Sequence, residues 1–185
     1  MPRTSDKRER LIRSADNLIL RQGFKQTTLA DIAEDSGVPL GNVYYYFKTK
    51  EDIGKTVIEA RLSDLQQLLA RCSQPAAPKN RLLAFLDYPA EIKATLLDNG
   101  CPLGTLSYEL SRNDNFLRAA SSELIRTLLD WCTAQFAAME APDPDALGLQ
   151  FICNMQGMSL VANTLHQENA IDTMVERTRM WIQSL

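Results

Sequence analysis

This chain has few of the residues that would mark a catalyst. Its 185 residues include one histidine, His166. The four cysteines, Cys72, Cys101, Cys132 and Cys153, are scattered with no CxxC pair. That spacing excludes a zinc ribbon and a disulfide framework, and it fits a reducing cytoplasm. There is no glycine-rich phosphate loop, nucleophile motif or acidic metal cluster. The expectation is therefore no enzyme, no cofactor and no metal. No apolar run is long enough to span a bilayer. The start, MPRTSDKRERLIRSADNLI, lacks a clean apolar run and a small-residue cleavage site, so a signal peptide is not expected. Strand-like alternation, internal repeats and low-complexity segments are missing too.

What is present is helical. Hydrophobic content of 45% and charged content of 23% are ordinary for a globular chain large enough to bury a core. The net charge is −3. Residues 1–60 hold ten Lys/Arg against nine Asp/Glu, and the first thirteen hold five against two, so a local basic face on the N-terminal part is permitted.

Apolar residues at helical spacing predict a helix over 5–22, with Leu11, Ile12, Ala15, Leu18 and Ile19 on one stripe and Gly23 as its stop. Thr49 with Asp52 caps a long helix that runs to about Cys72. SQPAAPK, 73–79, reads as a linker. Residues 79–97 form a further run, which Pro89 should kink or split. A break follows over 98–104, then a short helix through Leu110 and a turn over 111–115. The remaining helices are expected at 116–139, 146–167 and 170–184. Cys72, Cys132 and Cys153 fall on helical stripes and read as core. The fold class is all-α, about nine helices in two units: 1–48, and a larger bundle over 49–185.

One stretch stands apart: TLADIAEDSGVPLGNVYYYFKTK, Thr28 to Lys50. Thr28 with Asp31 three residues on makes a capping-box start. Ser36-Gly37 breaks that first helix, and Pro39 opens a second. Two short helices joined by a tight Gly-containing turn are a helix-turn-helix, whose second helix can lie in the DNA major groove. Four consecutive aromatics, Tyr44 to Phe47, cannot all face inward at 100° per residue. Phe47 and Tyr44 are read as inward, Tyr45 and Tyr46 as nearer DNA.

GNVYYYFKTKEDI is similar to the recognition-helix signature of the tetracycline-repressor (TetR) family of bacterial transcription regulators, and TTLADIAEDSGV fits the first half of the same motif. The resemblance covers roughly residues 7–60. It implies a homodimeric one-component regulator, usually a repressor, that binds a palindromic double-stranded DNA operator and no membrane. It further implies release of the operator when a small molecule enters the C-terminal domain and shifts the helix after Thr49, changing the spacing of the two recognition helices.

The DNA-contact residues expected on these grounds are Thr28, Leu40, Gly41, Asn42, Tyr44, Tyr45, Tyr46, Lys48 and Lys50. Thr28 and Lys50 lie at helix starts, where free N–H groups favour phosphate. Gly41 permits close approach, and Leu40 departs from the polar residue often found there.

The C-terminal part has more apolar stripes than a simple bundle needs. A mainly apolar effector pocket is expected from Phe85, Leu96, Cys101, Leu106, Tyr108, Trp131, Phe136, Phe151, Asn154 and Met155, with Gln156 a further polar candidate. A two-fold interface is expected from the last two helices, with Met155, Met158, Trp181 and Ile182 as candidates. GCPLGTLSYEL resembles a motif in a subset of the family, some of whose members sense electrophiles or oxidants through a cysteine here. The simpler reading makes Cys101 a packing residue near the cavity. The rivals from other classes are a cysteine-dependent helical enzyme and a helical adaptor for protein partners.

Overall fold

A computed structural model of the chain describes residues 4–112 and 116–185, and every described regular element is a helix. In chain order they are α1 (Thr4–Gln22), α2 (Leu29–Ser36), α3 (Leu40–Tyr46), α4 (Lys50–Cys72), α5 (Pro78–Phe85), α6 (Tyr88–Glu91), α7 (Lys93–Asn99), α8 (Pro102–Ser111), α9 (Phe116–Ala138), α10 (Pro144–Leu165) and α11 (Glu168–Ser184). The two segments beyond the expected nine arise where the 79–97 run divides around Pro89, which sits in the first turn of α6. Of the turn expected over 111–115, residues 113–115 lie outside the described residues.

The chain packs as two compact units. One comprises Met1–Leu62 with Thr105–Glu123, the other Ser63–Gly104 with Leu124–Leu185. The units are not consecutive blocks, because most of α8 packs with the N-terminal helices.

In the first unit, the α1 stripe Leu11, Ala15 and Ile19 is buried, as are Ile32 of α2, Val43 of α3 and Ile53 and Val57 of α4. Recurrence every three or four residues is what one buried helix face requires. Arg61 of α4 is only 6% exposed and grips Asp16 of α1 at 2.6 Å. Desolvating a guanidinium is tolerable only with such pairing.

Helices α2 and α3 have eight and seven residues. Helices that short are marginal in isolation, so their ends and their packing must hold them. At the start of α2 the Asp31 N–H donates to Thr28 Oγ1, and the Thr28 N–H donates back to Asp31 Oδ2. At its end Gly37 takes φ 64°, a left-handed conformation in which its N–H reaches back to the last turn. The start of α4 repeats the reciprocal cap with Thr49 and Asp52.

In the second unit the core centres on Phe85, Leu86, Phe136, Phe151, Ile171 and Ile182. Phe85 is the hub of its rings, with centroids 5.8 Å from Phe151 and 5.9 Å from Trp131. Asn154 of α10 donates to Thr178 Oγ1 of α11, and Lys93 of α7 pairs with Asp172 of α11 at 2.8 Å.

Thr28→Ala should cost about 1 kcal/mol of stability in urea unfolding at neutral pH. Hydrogen bonding from the Thr28 backbone, then from its side chain, holds the Asp31 carboxyl below its ordinary range. A depressed carboxyl stabilises the fold above its unfolded pKa of about 3.9, and that contribution is lost as pH falls through the folded value. The gap between wild type and variant should therefore narrow in acid; a gap independent of pH would contradict the reciprocal cap.

Candidate nucleic-acid interface and internal cavity

The seven residues of α3 are phased by two anchors. Val43 is fully buried and Phe47, four residues on, nearly so. With those inward, the steps between them must turn outward. Tyr45 is 72% exposed and Tyr44 48%, while Tyr46 is half-buried with its ring edge-on to Tyr45 at 5.1 Å. The inward assignment of Tyr44 is thereby corrected: Val43 holds the inward position, and Tyr44 lies 100° round from it. Leu40 and Gly41 are exposed, and nothing lies within 4 Å of where a Cβ on Gly41 would stand. Asn42 is half-buried. The outer face of α3 is thus Leu40, Gly41, Tyr44 and Tyr45, more apolar than charged.

The surrounding cations are partly committed. Lys48 Nζ donates to the Tyr44 carbonyl and so closes the C-terminal end of α3. Arg8 of α1 lies 5.7 Å from the Phe47 ring centroid. Lys50 Nζ donates to the Lys25 carbonyl at 2.8 Å and sits 4.7 Å from the Phe24 ring centroid. Burial lowers the Lys50 ammonium below its ordinary range. Lys50 therefore secures the turn between α1 and α2 in this structure. Thr28 is exposed, with its hydroxyl engaged in the cap.

The same turn is held by a residue that sequence reasoning missed. Glu109 of α8 accepts the Phe24 N–H at 2.8 Å through one carboxylate oxygen and the Lys25 N–H at 2.7 Å through the other. Gly23 precedes them at φ 83°, and a Cβ there would stand 3.0 Å from Glu109 Oε2. The only sequence signal was the pairing of Gly23 with a lone acid on an otherwise uncharged short helix.

The second unit holds a partly open cavity of about 40 Å³, lined by thirteen residues of which none is charged. Among the expected pocket residues, Phe85, Leu96, Cys101 and Met155 reach it, as does Gln156. The others do not. Phe136 and Phe151 are wholly buried in packed core, and Trp131 donates its indole N–H to Ser73 Oγ. Asn154 is spent on Thr178. Leu106 is buried in the first unit, where Tyr108 is 69% exposed. Tyr88, Leu103 and Ser159 line the space unforeseen. At the cavity edge Cys101 Sγ accepts from the Gly104 N–H and from Gln156 Nε2, each at 3.4 Å.

The expected interface residues also need correction. Met155, Met158 and Ile182 are buried within the protomer's own core, and Trp181 packs on Phe136. The apolar side chains that α10 leaves exposed are Leu149, Leu160, Val161 and Leu165, and Cys153 is exposed there too rather than in the core. Met180 of α11 is exposed as well. His166 caps α10 at φ 50°. Among the described residues no cluster could hold a metal ion, and no helix is long and apolar enough to cross a membrane.

Residues 11–55 match the family described as bacterial regulatory proteins, tetR family. Over 174 residues the chain is 32% identical to the transcriptional regulator AcuR of Cereibacter sphaeroides, covering 87% of this chain and 78% of AcuR. It is 32% identical over 126 residues to the transcriptional repressor DhaR of a Mycobacterium species, covering 67% of this chain but only 61% of DhaR. Its fold is similar to the reduced form of Escherichia coli NemR, with a TM-score of 0.80 at 20% identity, covering 93% of this chain and 94% of NemR.

Glu109→Ala should lower stability by about 2 kcal/mol, because two backbone donors lose a charged acceptor and one of them is part-buried. Glu109→Gln should lose less, since its amide oxygen still accepts one bond. Chemical unfolding that ranks the two variants in the opposite order would refute the clamp.

Proposed function

The chain belongs to the tetR family of bacterial regulatory proteins, and from that premise we propose a dimeric repressor that releases a palindromic DNA operator when a small molecule enters its larger helical domain. DNA reading is assigned to residues 1–48, and effector binding and dimerisation to 49–185. The observation that supports this reading best is the outer face of α3. Leu40, Gly41, Tyr44 and Tyr45 face solvent on a helix whose opposite side is anchored by Val43 and Phe47. Open space over Gly41 admits a DNA backbone or base edge. Tyr45 and Leu40 then offer apolar contact to thymine methyls, while Thr28, Asn42, Tyr44, Tyr46 and Lys48 serve phosphates. Lys50 acts through its hold on the Lys25 carbonyl.

Dimerisation uses the exposed apolar face of α10, around Leu149, Leu160 and Val161, with Met180 of α11 beside it. Two-fold symmetry would set the recognition helices about 34–36 Å apart, or a close multiple, to meet a palindromic site. The effector switches the protein only through a higher affinity for the conformer that does not bind DNA.

A second reading of the switch is covalent change at Cys101. Two donors converge on its sulfur at the cavity edge, and the fold matches a regulator solved in a reduced form. Under this reading an oxidant or electrophile releases DNA from the wild type but not from Cys101→Ser. Equal response of both proteins rejects it and leaves the reversible effector.

Once an operator is selected from random DNA, Lys48→Ala should weaken binding to all sequences alike and reduce the salt slope by about 0.9. Tyr45→Ala should weaken binding unevenly among operator variants. Equal, unchanged affinity of both mutants in a salt titration would refute this placement of α3. Leu160→Glu should yield a monomer in sedimentation at micromolar concentration; an intact dimer would refute the α10 interface.

A further inference from the structure

The cavity of the second unit contains one buried polar atom that the fold leaves unused. Ser159 is 2% exposed, lies on α10 and lines the cavity, and its hydroxyl has no hydrogen-bond partner. Serine in a helix ordinarily turns its hydroxyl back to the carbonyl four residues earlier. Buried hydroxyls without partners are uncommon, and each calls for a missing one. The surrounding wall is apolar, with Phe85, Ile92, Leu96, Leu128, Met155 and Met158 among its residues. No charged side chain lines it. Burial raises the Tyr88 phenol above its ordinary range, so that residue too presents a neutral hydroxyl. Gln156 is already bonded to Cys101.

We propose that the cavity binds a small uncharged molecule with an apolar body of a few carbons and one carbonyl or hydroxyl oxygen, which pairs with Ser159 Oγ. The proposal rests on the reading of this cavity as the effector site and names the chemical class that the site takes. An ionised carboxylate or an ammonium would meet no countercharge here and would lose its water, so charged molecules of the same size are rejected. The cavity's space of about 40 Å³ corresponds to roughly three water-sized groups. That favours molecules of about five non-hydrogen atoms, with affinity about millimolar at this size. A serine hydroxyl both donates and accepts, so a ketone, an aldehyde and an alcohol are all served by the same atom.

The test uses three probes of one shape on the full-length protein. Butan-2-one carries the oxygen, 2-methylbut-1-ene replaces it with a methylene, and propanoate replaces one methyl with a charged oxygen. Methyl resonances of Met155 and Met158 report binding directly from the cavity wall. Butan-2-one should bind the wild type about tenfold more tightly than Ser159→Ala, the loss expected for one buried hydrogen bond. 2-Methylbut-1-ene should bind the two proteins equally, and propanoate should shift neither methyl. Ser159→Ala should unfold no earlier than the wild type, since it removes an unpaired buried hydroxyl; if it fails to fold, Ser159→Cys keeps the volume with a weak donor. Equal affinity of butan-2-one for wild type and variant, saturable binding of propanoate, or no methyl shift with any probe overturns the proposal. Operator binding is measured separately. Hydroxyl-dependent binding of butan-2-one without operator release overturns the switching function and leaves the ligand class standing.

Discussion

The carboxylate of Glu109 and the ammonium of Lys50 both grip one turn, and the geometry of the first unit depends on that grip. The turn at Gly23–Lys25 sets the exit of the chain from α1 and its entry into α2. Glu109 takes two N–H groups of the turn, Lys50 takes one of its carbonyls, and Phe24 packs under the lysine. Each of these bonds has one charged partner, which strengthens it over a neutral pair. Together they satisfy the backbone groups that a left-handed glycine leaves turned away from the helix. The Arg61–Asp16 pair adds a second tie between α1 and α4. A helix-turn-helix of two such short helices gains its rigidity from these neighbours rather than from its own hydrogen bonds.

The two candidate sites have opposite electrostatic characters, and each character follows from its residues. Around α3 the basic groups are at the surface, and several are occupied with carbonyls or rings, so the face presented outward is mostly aromatic and aliphatic. Under the proposed reading, recognition on such a face would depend on shape and methyl contact, with phosphate contacts supplying orientation. The cavity has no charged side chain in its wall, and the hydroxyl of Ser159 is its one unpartnered buried polar atom among the described residues. Cys101 stands at its edge, tied to the first turn of α8 and to Gln156 of α10.

Local chemistry made much of the fold legible in the sequence. The Thr28–Asp31 and Thr49–Asp52 caps, the stop at Gly37 and the split at Pro89 are decided by residues within four positions of one another. Burial of Leu11, Ala15 and Ile19 followed from their period. What failed to read was the choice between two inward directions. The stripe of α10 that holds Met155, Met158 and Ser159 was visible as apolar, but period alone does not say whether such a stripe meets a neighbouring helix, a void or a second copy. Met155 was assigned to both pocket and interface for that reason, and only the cavity holds it. Tyr44 was misassigned because the smaller Val43 took the inward position. Glu109 was unreadable because its partners are backbone atoms more than eighty residues away in the chain.

A genetic consequence follows from the brevity of α3. A seven-residue helix presents only four or so side chains outward, so a screen for alleles that lose operator control would find few of them there. Under the proposed reading, most would fall at Gly23, Phe24, Val43, Phe47, Asp16, Arg61 and Glu109, which hold the packing of the first unit and lie outside the outer face of α3. The allele map of such a screen would trace the scaffold beneath the reading head. A screen restricted to changes of sequence preference would instead return the sparse outward set, and the contrast between the two maps would separate what holds the helix from what reads with it.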